Sequence, residues 1–377
     1  MVVAADAVDM DPEALQRVER LFHDQIARGE HPGAALAVYR YGRPVLDLWG
    51  GVADVETGRP VREDTLWVLF SSTKPLASVS VLKLIERGQA ALDDPVARYW
   101  PEFARNGKER VTIRHILTHR GGFPLTPEGL HWSTWRDWDA VVRAMEEVTP
   151  RWEPGTVSAY HLLNHGWVCG ELVRRIDGRP FPQFLREEIT EPLGMHDTYV
   201  GLPPELEPRV AKLHPMEDVP EQEQGTVRTF NRPEVHQAVV PAGCGIATAR
   251  DMARFYAALV NGGELDGARI LERATIEQAT QVEIDGDTDA VLSTSGLATT
   301  VRRGLGFNLG GVHPFSSRMG MGSTARTFGH GGAGTSICWA DWDLGVAFAF
   351  IPNGFRGRET LARRCLELSD GVREACR

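Results

Sequence analysis

The segment "LFSSTKPLAS", residues 69–78, places a serine and a lysine three positions apart where a helix begins. If the helix starts at Ser71, Lys74 lies one turn further along the same face, and its amine can approach the serine hydroxyl. A serine attacks a carbonyl when a neighbouring group takes its proton, and a lysine can do so only when its pKa is lowered. Serine and lysine are also ordinary in a first helical turn, so this segment alone leaves a simple polar cap as the alternative.

Two later segments contain further residues that are candidates for a catalytic site around such a serine and lysine. Tyr160 follows a Pro-Gly turn in "EPGTVSAY", residues 153–160, and precedes an apolar helix. The segment "FGHGGAG", residues 328–334, places a histidine and two glycines directly before a predicted strand. Its G-x-G-x-x-G spacing does not indicate a dinucleotide site, because the glycines precede a strand instead of opening a helix.

Ser71-x-x-Lys74, Tyr160 and the glycine-containing strand entrance together resemble the serine β-lactamase and penicillin-binding-protein superfamily. The segment "LTHRGGF", residues 117–123, is similar to a further motif of that superfamily. Among its subgroups, the class C β-lactamase-like esterases, or family VIII carboxylesterases, are the most similar. The resemblance implies an α/β (α+β) fold of the class C β-lactamase type.

The resemblance also implies roles for individual residues. Ser71 would carry the acyl group, with Lys74 and Tyr160 sharing the proton transfers, and the sequence leaves open which of the two is the base in each step. The oxyanion hole would be formed by the backbone N–H groups of Ser71 and Ala333. Substrate binding would involve His330, Gly331 and Gly332.

Two departures from the family pattern bear on the substrate. Class C β-lactamases carry Tyr-x-Asn where this chain has Tyr160-His161-Leu162, and Lys-Thr-Gly where it has His330-Gly331-Gly332. A histidine is mostly neutral at pH 7, so we expect short or compact uncharged esters to be preferred over anionic antibiotics. The alternatives are an acyltransferase of the same family, a β-lactamase or D-amino-acid peptidase, and a catalytically silent ligand-binding protein on this scaffold.

The pattern of apolar residues predicts how the chain is organised. Asp11 and Pro12 begin an amphipathic helix, and hairpins are predicted around Tyr41-Gly42-Arg43 and around residues 341–345. Helices and long loops fill the middle, including a helix that starts at Thr248. We therefore predict an antiparallel sheet flanked by terminal helices (residues 1–70 and 297–377), a mostly helical lobe (residues 71–296), and an active site in the cleft between them.

The composition excludes several other classes of function. The 377 residues are 42% apolar and carry 41 Lys plus Arg against 51 Asp plus Glu, without a long basic block, so no nucleic-acid partner is expected. The N-terminus lacks a signal-peptide pattern and no 18 apolar residues are contiguous, which predicts a cytoplasmic protein without a membrane partner. Five scattered cysteines and the histidines show no metal-site spacing, so neither a metal nor another cofactor is expected. The expected partner is a small-molecule ester, and the oligomeric state stays open.

Overall fold

The structure is a computed structural model that describes residues 2–295, 300–311 and 318–376. Its α-helices in chain order are α1 (Pro12–Ala27), α2 (Lys74–Glu86), α3 (Ile113–Leu117), α4 (Trp138–Glu147), α5 (Asn164–Asp177), α6 (Phe181–Leu185), α7 (Glu221–Phe230), α8 (Pro233–His236), α9 (Ala249–Val260), α10 (Arg273–Ala279) and α11 (Arg358–Glu374).

The strands form one large sheet and several short pairings. In chain order they are β1 (Gly33–Arg40), β2 (Arg43–Asp54), β3 (Arg59–Pro60), β4 (Trp67–Val68), β5 (Thr198–Val200), β6 (His214–Pro215), β7 (Gly245–Ala247), β8 (Glu264–Leu265), β9 (Ala268–Arg269), β10 (Ile284–Thr288), β11 (Thr300–Arg303), β12 (Asn308–Leu309), β13 (Thr327–Gly331), β14 (Ile337–Asp341), β15 (Val346–Pro352) and β16 (Gly354–Phe355). The large sheet has the order β10-β11-β12-β13-β14-β15-β1-β2-β3.

Strand β1 lies inside this antiparallel sheet and joins the two ends of the chain. It pairs with β2 on one side and with β15 on the other, where Ala34 lies opposite Pro352 and Arg40 opposite Val346. All eight of its residues are buried, which explains why its sequence is almost continuously apolar. The terminal segments therefore meet in one sheet, as the sequence predicts.

The two faces of the sheet pack against different helices. On β1, Leu36 and Val38 belong to the core shared with α1 and α11, whereas Ala37 and Tyr39 belong to the core that contains α9. Because side chains alternate along a strand, small alanines on one face let α9 approach closely while larger residues fill the space beneath the terminal helices. The predicted arrangement of a sheet covered by the terminal helices is confirmed.

Local signals account for the ends of these elements. Asp11 Oδ1 accepts hydrogen bonds from the backbone of Glu13 and Ala14, which caps α1 at the predicted position. The β1–β2 turn contains Tyr41 and Gly42, both with positive φ (49° and 74°), the backbone conformation that a tight two-residue hairpin requires. The second predicted hairpin is formed by β14 and β15.

Helices α2 to α9 and their connecting loops form the mostly helical part of the chain, with α2 and α5 sharing its core. Strand β10 precedes residue 297 and yet pairs with β11 at the edge of the large sheet. The predicted boundary between residues 296 and 297, where the chain returns from the helical lobe to the sheet, lies outside the described residues. That division therefore stays a prediction. The α/β (α+β) fold class itself is confirmed.

Within residues 2–295, 300–311 and 318–376, none of the helices combines the length and apolar character needed to cross a bilayer. In the same described part of the chain, histidine, cysteine and acidic side chains form no group of three that could hold a metal ion. The five cysteines are buried free thiols.

Candidate active site

Ser71 lies in a short 3₁₀ turn, Phe70–Thr73, that leads directly into α2. Phe70 has a φ of 48°, a left-handed conformation that is unusual for an aromatic residue. Ser72, Thr73 and Lys74 are buried, whereas Ser71 keeps part of its surface exposed. The turn therefore presents one hydroxyl, that of Ser71, to a substrate arriving from solvent.

The amine of Lys74 lies directly behind this hydroxyl. Its Nζ is 3.2 Å from Ser71 Oγ, 2.7 Å from the carbonyl oxygen of Leu162 and 3.0 Å from that of Ala242. A carbonyl oxygen only accepts hydrogen bonds, so the two carbonyls take both N–H groups of a neutral amine and leave its lone pair for the Ser71 hydroxyl. After it takes the serine proton, the ammonium has three N–H groups for the same three oxygens.

Burial also favours the neutral form of Lys74. The side chain is fully buried, and the loss of hydration lowers its pKa well below the ordinary value, with a smaller contribution from the positive charge of Arg303. Nearby imidazoles add no positive charge near pH 7, because burial lowers the pKa of each; they are His119, His161, His165 and His330. The amine is thus suited to accept a proton.

Tyr160 covers the other side of the serine and lysine. The Lys74 amine lies 4.6 Å from the centre of the Tyr160 ring. Burial raises the pKa of the Tyr160 hydroxyl, while a hydrogen bond with Ser71 opposes that rise. The structure therefore brings Ser71, Lys74 and Tyr160 together, with the phenol protonated near neutral pH and in reach of the serine oxygen.

Strand β13 forms the wall opposite the helix. A side chain at Gly332 would place its Cβ 2.4 Å from the carbonyl oxygen of Leu69, so only glycine lets the strand pass this close to the serine turn. Ala333 follows on the exposed side of that contact. His330 is 4% exposed, and its Nδ1 pairs with the carbonyl of Gly331 at 2.9 Å. Its ring centre lies 6.0 Å from that of Tyr160, so the histidine packs beneath the site.

A fixed cation lies beside the same strand. Arg318 Nη1 donates to the carbonyl of Gly332 at 3.0 Å. A Cβ at Gly331 would be 2.1 Å from Arg318 Nη2, so the missing side chain at that position makes room for the guanidinium. His330 replaces the family's lysine, so strand β13 itself carries no permanent positive charge, but Arg318 brings one beside it from another segment.

Comparison with known proteins shows the family of the chain. The protein-family model described as Beta-lactamase matches residues 18–368. The chain belongs to the beta-lactamase family. The protein described as "Esterase/beta-lactamase LipL" from Mycobacterium tuberculosis is 34% identical over 364 residues, which cover 89% of this chain and 80% of that relative. "Esterase EstB" from Burkholderia gladioli is 32% identical over 226 residues, or 53% of this chain and 57% of that relative.

Solved structures of this family share the whole fold. A penicillin-binding-protein homologue from Caulobacter crescentus superposes with a TM-score of 0.84 at 34% identity, covering 97% of this chain and 98% of the other. A family VIII carboxylesterase superposes with a TM-score of 0.83 at 29% identity over the same shares of the two chains. The chain is accordingly a serine hydrolase of the esterase/beta-lactamase type.

Ser72 shows how closely the serine turn and strand β13 are joined in this member of the beta-lactamase family. Its Oγ donates to the carbonyl of His330 at 3.0 Å and lies 2.9 Å from Ser336 Oγ. Ser336 Oγ in turn donates to the carbonyl of Leu69 at 2.9 Å. These contacts fix the distance between the serine and the opposite wall.

Sequence reasoning missed the residues that support Tyr160. His119, a member of the "LTHRGGF" segment, has a φ of 61°, and its ring centre lies 4.7 Å from that of Tyr160. On the other side, Asp289 Oδ1 accepts the backbone N–H of Tyr160 at 3.1 Å and Asp289 Oδ2 binds Arg303 at 2.7 Å. The motif could have drawn attention to His119, but no local pattern links Asp289 or Arg303 to the tyrosine.

Proposed function

We propose that this protein hydrolyses short or compact carboxylic esters through an acyl-enzyme on Ser71. The observation that carries the proposal is the position of the Lys74 amine, 3.2 Å from Ser71 Oγ with both other hydrogen-bonding contacts made to carbonyl oxygens. That arrangement suits a neutral amine that removes the serine proton. The esterase names of the relatives support an ester as substrate.

In the first half-reaction, Lys74 Nζ takes the proton of Ser71 while Oγ forms a bond to the ester carbonyl carbon. The carbonyl oxygen becomes negatively charged, and the backbone N–H groups of Ser71 and Ala333 would stabilise it. When the intermediate collapses, the bond to the alcohol oxygen breaks. Tyr160 donates its proton to that oxygen and regains one from the Lys74 ammonium, so the alcohol leaves neutral.

In the second half-reaction, water attacks the acyl-enzyme carbonyl. The proton transfers of the first half-reaction then run in reverse: Tyr160 takes the water proton as it passes its own proton to the neutral Lys74 amine, and the Lys74 ammonium returns that proton to Ser71 Oγ as the acid leaves. A competing alcohol in place of water would give acyl transfer, which differs only in the nucleophile.

The direct test is mass spectrometry of protein quenched during turnover of aryl esters of increasing acyl length. We expect an added acyl mass on the peptide that contains Ser71, and its absence in Ser71→Ala. Product analysis with and without an added alcohol separates the hydrolase from the acyltransferase, and a cephalosporin tests for β-lactamase activity. An unmodified Ser71 during turnover would contradict the proposal, and no turnover or acylation with any ester would indicate a silent binding protein.

A further inference from the structure

A buried ion pair lies behind the candidate site, where the edge of the large sheet meets the helical lobe. Arg303 ends strand β11, and Asp289 follows strand β10. Arg303 Nη2 lies 2.7 Å from Asp289 Oδ2, and the two side chains are 2% and 0% exposed. Removing either partner would leave an uncompensated buried charge, so the pair has a fixed geometry.

The pair holds the backbone that carries Tyr160. Asp289 Oδ1 accepts the N–H of Tyr160 at 3.1 Å, and Arg303 Nη1 donates to Ser158 Oγ at 3.0 Å. The neighbouring N–H of Ala290 donates to the carbonyl of Ser158 at 2.9 Å. The guanidinium carbon of Arg303 lies 5.6 Å from the centre of the Tyr160 ring.

His119 holds the same segment from the opposite side. Its carbonyl accepts the N–H of Ala159 at 3.0 Å, and its Nδ1 accepts the N–H of His161 at 3.1 Å. Tyr160 is thus clamped between the left-handed turn at His119 and the ion pair. A displacement of about 1 Å would make proton transfer by the Tyr160 hydroxyl inefficient, so the contacts on both sides of Tyr160 affect the rate of the reaction.

The ion pair also acts through its charge. Arg303 adds to the lowering of the Lys74 pKa and opposes the rise of the Tyr160 pKa, whereas Asp289 adds to the rise at Tyr160. Other titratable or charged groups around Lys74 and Tyr160 come from several elements; they are His119, His161, His165, Cys169, Arg318 and His330.

We propose that Arg303 and Asp289 are positioning residues for the acyl transfer: the pair holds the Tyr160 hydroxyl against Ser71, and the Arg303 guanidinium places its charge 5.6 Å from the centre of the Tyr160 ring that the Lys74 amine also contacts. This inference rests on the proposed function, because it assigns the pair a part in that reaction. Neither residue contacts the reacting atoms, so both act through Tyr160 and Lys74.

The test compares Arg303→Met, Arg303→Lys and Asp289→Asn with a matched control. Arg373 Nη1 lies 2.7 Å from Asp341 Oδ2, and these side chains are 5% and 0% exposed. This second buried pair joins α11 to the last residue of β14, so Arg373→Met removes the same kind of interaction without contacting Tyr160. Steady-state kinetics over pH 5 to 9, acyl-enzyme titration and thermal unfolding are measured for each variant.

We expect Arg303→Met to lower kcat by about 30-fold or more with KM changed less than about threefold, a typical share of positioned proton transfer. The acid limb, the side of the kcat/KM pH profile on which activity falls as Lys74 gains a proton, moves to higher pH in Arg303→Met, because Lys74 then gains a proton more easily. In Asp289→Asn the limb moves to lower pH, because the Arg303 charge is no longer balanced. Arg303→Lys keeps the acid limb of the parent, and Arg373→Met keeps both kcat and the limb.

Three results would overturn the inference. The acid limbs of Arg303→Met and Asp289→Asn could stay where the parent has them, the two limbs could move in the same direction, or Arg373→Met could lose as much kcat as Arg303→Met. If Arg303→Met does not fold, the downward shift in Asp289→Asn and the unshifted limb of Arg303→Lys decide the question. A parent protein that forms no acyl-enzyme would refute the proposed function itself, whereas a normal parent with unshifted variants refutes only the role of the ion pair.

Discussion

Phe70 adopts a left-handed backbone conformation immediately before the reactive serine, which costs on the order of 1–3 kcal/mol for a residue of this kind. Its ring packs 4.7 Å from that of Phe230 and 5.7 Å from that of Phe355, measured between ring centres, and this burial offsets the cost. The strained residue turns the chain so that Ser71 faces solvent while Ser72 faces strand β13. Two adjacent serines therefore have different surroundings.

Lys74 and Tyr160 contact each other and the same serine oxygen, so we expect them to act as one unit. Lys74→Ala and Tyr160→Phe should each lower kcat by at least ~100-fold, since positioned proton transfer typically contributes 10²- to 10⁴-fold. The double variant should be little worse than either single variant. Steady-state kinetics with one aryl ester measures all three, and fully additive losses would argue against a shared proton pathway.

Ser72 is predicted to matter for stability more than for chemistry. Ser72→Ala removes the hydrogen bond to the His330 carbonyl and the contact with Ser336 Oγ in a buried place, which costs about 1–3 kcal/mol. We expect a lower Tm with kcat kept within about tenfold of the parent. Ser71→Ala is the converse control, with normal stability and no turnover. If Ser72→Ala abolished activity at unchanged stability, the reactive serine would be misassigned.

Arg318 decides whether the site discriminates by charge. Its guanidinium lies against Gly331 and Gly332, the edge along which an ester would bind. Replacing Arg318 with Met should lower kcat/KM for a carboxylate-bearing ester by about fivefold, or ~1 kcal/mol, as for an exposed ion pair. The matched neutral ester should change little. Equal effects on both esters would show that Arg318 does not select by charge, and would leave the expectation of an uncharged substrate, which rests on His330, in place.

At the scale of elements, one buried carboxyl group joins the first turn of α9 to the start of strand β5. Asp251 lies in the first turn of α9, and its Oδ2 accepts hydrogen bonds from the N–H of Asp197 and the hydroxyl of Thr198, both at 2.9 Å. Burial raises the pKa of Asp251 from 3.8 to about 6. The folded state therefore binds a proton that the unfolded chain has already lost at pH 5.

The sign of the pH effect follows from that raised pKa. Below about pH 3 both states are protonated, and as the pH rises to about 7 the folded protein loses about 3 kcal/mol of stability from this group, because the folded pKa is roughly two units higher at 1.36 kcal/mol per unit. Asp251→Asn keeps an oxygen for both hydrogen bonds and does not titrate. Urea unfolding at pH 4 and pH 7 should show the variant gaining stability relative to the parent at the higher pH; a constant difference would contradict this.

Elements with local signals were the ones that the sequence could predict. The cap at Asp11, the turn at Gly42 and the apolar face of α9 each depend on residues within one or two turns of chain. The serine and lysine were predictable as partners for the same reason, since three positions along a helix are one turn. Strand β13 was recognisable through its glycines, although its contact with Arg318 was not.

At the scale of the whole molecule, the remaining parts of the site come from segments that only the fold brings together. Tyr160, Asp289 and Arg303 meet because the edge of the sheet packs against the helical lobe, and nothing in their spacing encodes that contact. A buried ion pair needs a low-polarity environment that exists only after folding. Sequence reasoning therefore pointed to Ser71, Lys74 and Tyr160, which the fold brings together, and missed the residues that hold Tyr160 in place.

The pairing of β1 with β15 also determines when, during translation, the large sheet can form. More than 300 residues separate Arg40 from its partner Val346, so a ribosome adding about 5–20 residues per second finishes the first strand roughly 15–60 s before the second emerges. During that interval an eight-residue apolar strand has one open edge, which is a template for pairing with another nascent chain. Recombinant yield of soluble enzyme should consequently depend on how well chaperones cover that edge.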